Sequence, residues 1–358
     1  MDTTPVTARS LAHWYAIDGD QLEKAYKHYL SDYPEWEQRE HAANWVLLEE
    51  NIGERLSIDE SLFQEDLFTI LSNKDGHCRQ KTIISMVRGT KAEDVIAVLM
   101  RIPEDARLAV KEVTMDLSSS MYSIVSQVFP NATIVLDCFH IIKRCNDAIE
   151  EIRLRLKRKT QVDNRRLERE FRRRQERNAA QRKRYAKTHP LKGKKSKRGR
   201  KRKRKNEKFR PPVLSNGDTV LELLTRSKRA LTQSRDKWSV KTAERMKLLF
   251  ELFPSLKEAY DIVNKLRAIF RSKTLDKEAA RIKLHEWYKT ATGSSLREIK
   301  SARDAIKSRE ENVLNYFISR STNAAAESLN SKIKAFRAQL RGVSDLPFFM
   351  FRLCKIFG

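Results

Sequence analysis

The sequence has few of the patterns that mark secreted, membrane-spanning or zinc-stabilised proteins. Its four cysteines, Cys78, Cys138, Cys145 and Cys354, form no C-x-x-C pair, and no histidine cluster has zinc-finger spacing. Neither a disulfide framework nor a structural zinc site is therefore predicted, and a reducing cytosol is the expected compartment. No apolar run approaches about 18 residues and no charged-then-apolar signal opens the sequence, which disfavours membrane spanning and secretion.

Acidic residues are scarce relative to basic ones. The 358 residues include 73 Lys and Arg against 47 Asp and Glu, a formal net charge of +26. Residues 151–210 alone hold 29 Lys and Arg against 6 Asp and Glu, or +23, which leaves +3 for all the others. A near-neutral body with one strongly basic segment predicts a polyanionic partner rather than a small-molecule enzyme.

The first fifty residues are predicted to be a small helical region. Apolar residues recur at roughly helical spacing, with a break at residues 17–20 that divides two short helices; they are Leu11, Tyr15, Leu22, Tyr26 and Leu30. Two interpretations stay open. The pair is either the remnant of a DNA-binding helix-turn-helix or two packed amphipathic helices with no role in DNA binding.

The pattern of apolar and polar residues in residues 51–145 predicts an α/β sheet. Three short strands, a helix stopped by Pro103, a strand, a second helix and a buried strand are predicted in that order. Their limits are 55–59, 67–73, 81–87, 92–100, 111–116, 118–128 and 133–137. The element order is therefore β-β-β-α-β-α-β.

After Asp137 the sequence predicts a long, mostly helical insertion over residues 146–304. An apolar stripe from Ile142 to Leu156 indicates a long helix that leads into the basic segment. A Lys/Arg-rich stretch near 188–212 predicts a disordered loop, and helical periodicity resumes in five segments up to residue 309. Trp238, Trp287 and Tyr288 lie on apolar helical faces, so packing in the core is favoured over stacking on bases.

Acidic residues follow two of the predicted strands. Asp59 is placed at the end of the first strand and Asp116 at the end of the fourth. Acids at the ends of neighbouring strands can converge and repel each other, and a bound Mg²⁺ offsets that repulsion. Taken singly, each is equally typical of a strand end or a helix cap.

A further acid, Glu327, lies on a predicted helix that begins with an alanine run. One face of this helix is apolar and the other is polar, with residues at steps of three and four. The polar face suits either solvent or a ligand phosphate, and it consists of Asn323, Glu327, Asn330, Lys334 and Arg337.

Three groups of residues together resemble a known family. They are Val113 to Asp116 with Tyr122, then 129–132 with Asp137 to Lys143, and Asn323 to Arg337. In this combination residues 50–358 resemble bacterial insertion-sequence transposases of the DDE superfamily, in the branch with a D-x-F-H-x-x-K signature. Cys138 and Ser328 depart from it, where a basic residue and a glycine are usual.

The resemblance implies an RNase H-like mixed α/β sheet, with a helical insertion before the last catalytic helix and the last part of the core at 305–358. It implies Asp59, Asp116 and Glu327 as the catalytic triad and as ligands of two Mg²⁺ ions, for which Mn²⁺ can substitute. Asp137 is the rival of Asp116 as second acid. His140, Lys143, Asn323, Asn330, Lys334 and Arg337 are the expected accessory residues.

The implied activity is cleavage at transposon ends and strand transfer into target DNA. The expected partners are DNA, further copies of the chain and a separate DNA-recognition polypeptide, in the bacterial cytoplasm at the nucleoid. Two alternatives stay open: a non-catalytic DNA-binding protein, and an RNase H-like nuclease limited to hydrolysis.

Overall fold

The computed structural model describes residues 1–63, 66–189 and 208–358. By its internal contacts the chain divides into two compact units, one of residues 1–143, 268–288 and 304–358, the other of 144–267 and 289–303. The predicted disordered loop near 188–212 lies mainly outside the described residues. None of the described helices is both long and apolar enough to cross a membrane.

A mixed sheet organises the first unit. Within the described residues its six strands are β1 (Trp45–Leu47), β2 (Arg55–Phe63), β3 (Asp66–Asn73), β4 (Ile83–Arg88), β5 (Glu112–Met115) and β6 (Thr133–Leu136). Their order across the sheet is β1-β4-β3-β2-β5-β6. The pairs β1–β4, β4–β3 and β3–β2 are antiparallel, whereas β2, β5 and β6 run parallel to one another.

Among the described residues, nine helices of the first unit lie before or after the insertion. Before it lie α1 (Ala8–Tyr15), α2 (Gly19–Ala25), α3 (Ala92–Leu99), α4 (Glu104–Leu108) and α5 (Ser119–Val128). After it lie α13 (Glu310–Leu314), α14 (Tyr316–Ser319), α15 (Ala324–Gln339) and α16 (Leu346–Phe357). The insertion and its borders hold α6 (Cys138–Thr188), α7 (Val220–Arg226), α8 (Lys228–Leu231), α9 (Val240–Leu252), α10 (Pro254–Arg271), α11 (Lys277–Gly293) and α12 (Arg297–Lys307).

The predicted order of strands and helices between residues 55 and 137 is confirmed, with two corrections in that range and one before it. Strand β2 continues to Phe63, so Asp59 lies in its interior and not at its end. A short helix, α4, follows Pro103, where the sequence suggested a direct passage into the next strand. Strand β1 falls in the region predicted to be helical; it is only three residues long and exists by pairing with β4, about 40 residues away.

The N-terminal helices form where they were predicted, but their buried face differs. Ala8, Ala12 and Tyr26 are buried, whereas Tyr15 and Leu30 are 73% and 65% exposed. Helix α1 is capped by the Thr7 side chain, which accepts a hydrogen bond from the Ser10 amide. Of the predicted stripe, Tyr26 is thus buried as expected, whereas the buried residues of α1 are the alanines Ala8 and Ala12.

The second unit is helical in the residues described. The Ile142-to-Leu156 stripe is confirmed in its middle, since Cys145, Ile149 and Ile152 are buried. Trp287 and Tyr288, which lie in the first unit, are buried as predicted, and Trp238 stacks on Tyr260 with ring centroids 5.3 Å apart while its indole N–H donates to the Ala230 carbonyl.

The two faces of the sheet differ in polarity, and this difference positions the site. Side chains alternate between faces along a strand, and Leu56 pairs with Val113 while Ser57 pairs with Thr114. One face therefore carries the apolar residues Leu56 and Val113. The other carries Ser57, Asp59, Glu112 and Thr114, and it is covered by α15.

Helices α15 and α16 close the core on that second face, away from its polar centre. Ile333 and Phe336 of α15 pack with Phe349 of α16 and with Phe63 and Phe68 of the β2–β3 hairpin. The apolar helix α16 was not predicted as an element. The predicted apolar stripe of α15 is confirmed, since Leu329, Ile333 and Phe336 are all buried.

Candidate active site

Asp59 lies on the polar face of the sheet and is held by two donors. The Asn330 side-chain amide donates to Asp59 Oδ2 at 2.7 Å, and the Glu60 backbone N–H donates to Oδ1 at 2.8 Å. Burial raises the pKa of Asp59 from 3.8 to about 6, and the negative charges of Asp116 and Glu327 add to the rise. Burial and the neighbouring acids thus disfavour the charged form of Asp59.

Asp116 and Asp137 lie close together because each follows one of two neighbouring parallel strands, β5 and β6. The imidazole of His140 joins them. Its Nδ1 lies 2.8 Å from Asp116 Oδ1 and 3.0 Å from Asp137 Oδ2. Hydrogen bonds to Asp116 and Asp137 raise the pKa of His140 to about 10, so the ring is a cation at neutral pH.

Asp116, Asp137 and His140 form the one group of three or more metal-binding side chains found among the described residues. Their ligand atoms lie within 4.8 Å of one another, and Asp137 is almost fully buried at 3% exposure. The set of two carboxylates and an imidazole is chemically able to bind a divalent cation. As it stands, the protonated imidazole supplies the positive charge.

Asn323 connects the start of α15 to three parts of the site. It is fully buried and bonds to the Ser57 hydroxyl, and its amide nitrogen lies 3.4 Å from both Asp116 Oδ1 and the Ile58 carbonyl. The polar stripe of α15 is thus not a plain solvent face. Asn323 and Asn330 are buried toward the sheet, while Glu327 between them is exposed.

The other predicted site residues lie further along the same two helices. Lys143 and Lys334 are exposed. Arg337 donates from Nη1 to the Leu62 carbonyl at 2.8 Å, so it braces the end of β2. The sequence analysis missed Ser57, although it lies two residues before Asp59 and therefore on the same face of β2.

A second polar cluster also escaped the sequence analysis. Lys74 Nζ lies 3.1 Å from Glu112 Oε1, donates to Ser321 Oγ at 2.5 Å and also bonds to the Thr114 hydroxyl. Glu112 accepts further hydrogen bonds from Ser319 and Ser321, and the Lys74 and Glu112 side chains are each only 12% exposed. These bonds fasten the segment before α15 to β5.

The structure thus defines a mixed α/β protein with a carboxylate cluster at the centre of its sheet. A family model described as transposase, the ISL3 group of DDE transposases, matches residues 56–353. The match covers most of the chain, which therefore belongs to this transposase family and is an enzyme of DNA transposition. No curated protein matches the sequence.

Proposed function

We propose that the chain is a DDE transposase that cuts the DNA at the ends of an insertion sequence and joins the ends to a target. Asp59, Asp116 and Glu327 are its three catalytic acids. The observation that carries the proposal is the electrostatic coupling of Asp59 to both Asp116 and Glu327, three acids from β2, the end of β5 and α15. A partly buried carboxylate whose pKa is raised by burial and by neighbouring acids is typical of catalytic centres.

The proposed fold is RNase H-like. Three antiparallel strands are followed by two parallel ones on the far side of β2, in the order β4-β3-β2-β5-β6, and β1 extends the sheet at the β4 edge. The first and second acids then lie on the adjacent strands β2 and β5. This adjacency favours Asp116 over Asp137 as the second acid, since β6 is one strand further from Asp59.

The residues present fit a divalent cation. Asp59, Asp116 and Glu327 offer only oxygen ligands, the kind that Mg²⁺ and Mn²⁺ prefer. Burial and the neighbouring acids raise the pKa of Asp59, and a bound cation would favour its charged form. Such ions, when bound, activate water or a 3′-hydroxyl for attack on a phosphodiester and stabilise the leaving oxygen.

The protein's own side chains prepare this arrangement. The hydrogen bond from Asn330 holds one oxygen of Asp59 in place and so fixes the orientation of the whole carboxylate. His140 sets the orientation of Asp116 and Asp137. Asn323, buried between Ser57 and Asp116, fixes the first turn of α15 and with it the position of Glu327 one turn later.

The remaining proposals concern partners. The described part of α6 from residue 157 to 188 carries 14 Lys and Arg against 4 Asp and Glu and is largely exposed. We assign to it sequence-independent affinity for duplex phosphates. Assembly of several copies on paired DNA ends, a separate DNA-recognition polypeptide and a place at the bacterial nucleoid belong to the same proposal.

The decisive experiment mixes the purified protein and Mg²⁺ with labelled duplexes made from the DNA that flanks its coding sequence. Wild type should release 3′ ends and form joined products. Asp59→Asn, Asp116→Asn and Glu327→Gln should give neither while they still bind DNA. Asp137→Asn should lose only about 10- to 100-fold, the usual effect of a supporting residue.

The same experiment separates the alternatives. Wild-type cleavage without joined products would identify a nuclease limited to hydrolysis. Binding without any cleavage above the level of Asp59→Asn, with either Mg²⁺ or Mn²⁺, would reduce the chain to a DNA-binding protein. Greater loss in Asp137→Asn than in Asp116→Asn would make Asp137 the second acid.

A further inference from the structure

An exposed aromatic side chain lies directly beside the carboxylate cluster. Phe139 is 59% exposed and stands in the first turn of α6, between Asp137 and His140. Its ring meets the His140 imidazole edge-on, with centroids 5.3 Å apart and an interplanar angle of 88°. Since the same imidazole bonds to Asp116 and Asp137, the Phe139 ring is one side chain away from the acids.

Phe139 takes no part in the core of the helix to which it belongs. The buried side of this part of α6 is formed by Ile141 and Cys145, which are 0% and 1% exposed. At about 100° per residue, Phe139 points roughly 200° away from Ile141 around the helix axis. With 59% of its surface exposed, the Phe139 side chain is open to contact by another planar group.

Lys143 lies on the same side of the helix as Phe139. The two residues are four positions apart, the spacing that places side chains next to each other on a helix surface, and Lys143 is exposed. An open aromatic ring and an ammonium group on one helix face offer the two contacts that a nucleotide needs. The ring accepts a base by stacking, and the ammonium group binds a phosphate.

We propose that Phe139 and Lys143 form a nucleotide subsite, in which Phe139 stacks on an unpaired base next to the phosphate that is cut and Lys143 holds the neighbouring phosphate. The occupant is single-stranded or locally opened DNA, because a base within an intact duplex is already stacked on both faces. The subsite rests on the proposed function, since it is placed by its distance from the catalytic acids.

This subsite would give cleavage a preference for an opened strand. A base stacked on Phe139 fixes the strand direction beside Asp116 without reading the base, since every base has a π-face. The subsite therefore supplies position and strand opening, while sequence recognition remains with other parts of the protein or with its partners.

Photocrosslinking tests the contact directly. The full-length protein is bound, in Ca²⁺ buffer that does not support cleavage, to flanking-end duplexes with 5-iododeoxyuridine at successive positions around the end. After irradiation, mass spectrometry locates the crosslinked peptide. A crosslink to Phe139 from one or two adjacent positions is expected, whereas crosslinks confined to other aromatic residues would refute the subsite.

Variants measure its contribution. Phe139→Leu should raise the dissociation constant for a duplex with a frayed end about ten-fold and have much less effect on a fully paired duplex, and Phe139→Trp should behave like wild type. Trp14→Leu removes an aromatic ring that is 83% exposed on α1 and is the matched control. Equal binding of the frayed duplex by Phe139→Leu and Trp14→Leu, with unchanged melting temperatures, would overturn the proposal.

Lys143 has its own test. Lys143→Gln should reduce the slope of log affinity against log salt by about 0.7, the value for one contact to a single strand. Lys24→Gln, at an exposed lysine of α2, is its charge-matched control and should leave the slope unchanged.

The failure of the subsite and the failure of the proposed function give different results. If wild type binds and crosslinks at Phe139 but never cleaves, the proposed function fails and the subsite stands. If wild type cleaves and Phe139→Leu matches it in binding, only the subsite fails.

Discussion

The side-chain amide of Asn330 donates to Asp59 Oδ2 at 2.7 Å and thereby ties helix α15 to the middle of strand β2. The two residues are 271 positions apart in the chain. Asn330 is 6% exposed, and Asp59 is partly buried. A hydrogen bond to a buried carboxylate is worth more than one between neutral groups, so this contact both stabilises the fold and orients the proposed first acid.

Asn330→Leu should therefore lower the free energy of unfolding by about 1–3 kcal/mol at neutral pH, because the partly buried Asp59 loses a hydrogen-bond donor. Urea denaturation in EDTA measures the loss. Ser328→Ala, at an exposed position of the same helix, is the control and should change stability by less than about 0.5 kcal/mol. An Asn330→Leu protein as stable as this control would show that the contact carries no free energy.

The raised pKa of Asp59 makes metal-free stability depend on pH. The folded state holds this proton more tightly than the unfolded chain, whose pKa is near 3.8, so ionisation favours unfolding. The resulting loss of folding stability is absent below pH 3.8, grows between pH 3.8 and about 6, and is complete above pH 6. Asp59→Asn should thus raise the free energy of unfolding by about 1–3 kcal/mol at pH 7.5 and hardly at all at pH 4.

Thermal denaturation in EDTA at the two pH values checks this prediction. The addition of Mg²⁺ at pH 7.5 should stabilise wild type by binding the folded state and should have a smaller effect on Asp59→Asn. A variant that is less stable than wild type at both pH values would mean that the hydrogen bonds of Asp59 outweigh the cost of its charge.

The buried pair of Lys74 and Glu112 predicts a contrast between single and double variants. Lys74→Met leaves the Glu112 carboxylate without its cation and should destabilise the protein by about 3–5 kcal/mol. The double variant Lys74→Met with Glu112→Leu removes both charges and should recover most of that loss. Urea denaturation of the four proteins gives the coupling free energy.

The salt bridge between Arg55 and Asp75 provides the control for this cycle. Both partners are more than 40% exposed, so Arg55→Met should cost no more than about 1 kcal/mol. Additive effects of Lys74→Met and Glu112→Leu would contradict the role given to the buried pair.

The basic half of α6 predicts a steep dependence of DNA binding on salt. Arg173, Arg174 and Arg177 are exposed on this helix. If all three contact duplex phosphates, their replacement by Gln should reduce the slope of log affinity against log salt by about 2.7, at 0.9 for each contact. Replacement by Lys keeps the charge and should preserve the slope.

Fluorescence anisotropy with labelled duplexes of random sequence at several salt concentrations measures these slopes. The Gln variant should lose affinity to the same extent on every sequence, because phosphate contacts carry no sequence information. An unchanged slope would locate the phosphate contacts elsewhere in the protein.

The sequence alone determined most of the local elements between residues 55 and 137. Alternating and helical periodicities predicted β2 to β6, α3, α5 and the apolar stripe of α15, because these patterns follow from the backbone geometry of strands and helices. Asp116 was placed correctly behind its strand, and the concentration of charge in residues 151–210 needs no structure to be seen.

Only the tertiary structure decided how these residues meet. It placed Asp59 within β2, paired β1 with β4, and turned Asn323 and Asn330 toward the sheet although they share a polar stripe with exposed Glu327. It also joined Asp116 to Asp137 through His140 and Lys74 to Glu112. Such contacts depend on which faces of the strands and helices pack together, often between residues far apart in the sequence. The local pattern of apolar and polar residues does not determine that packing.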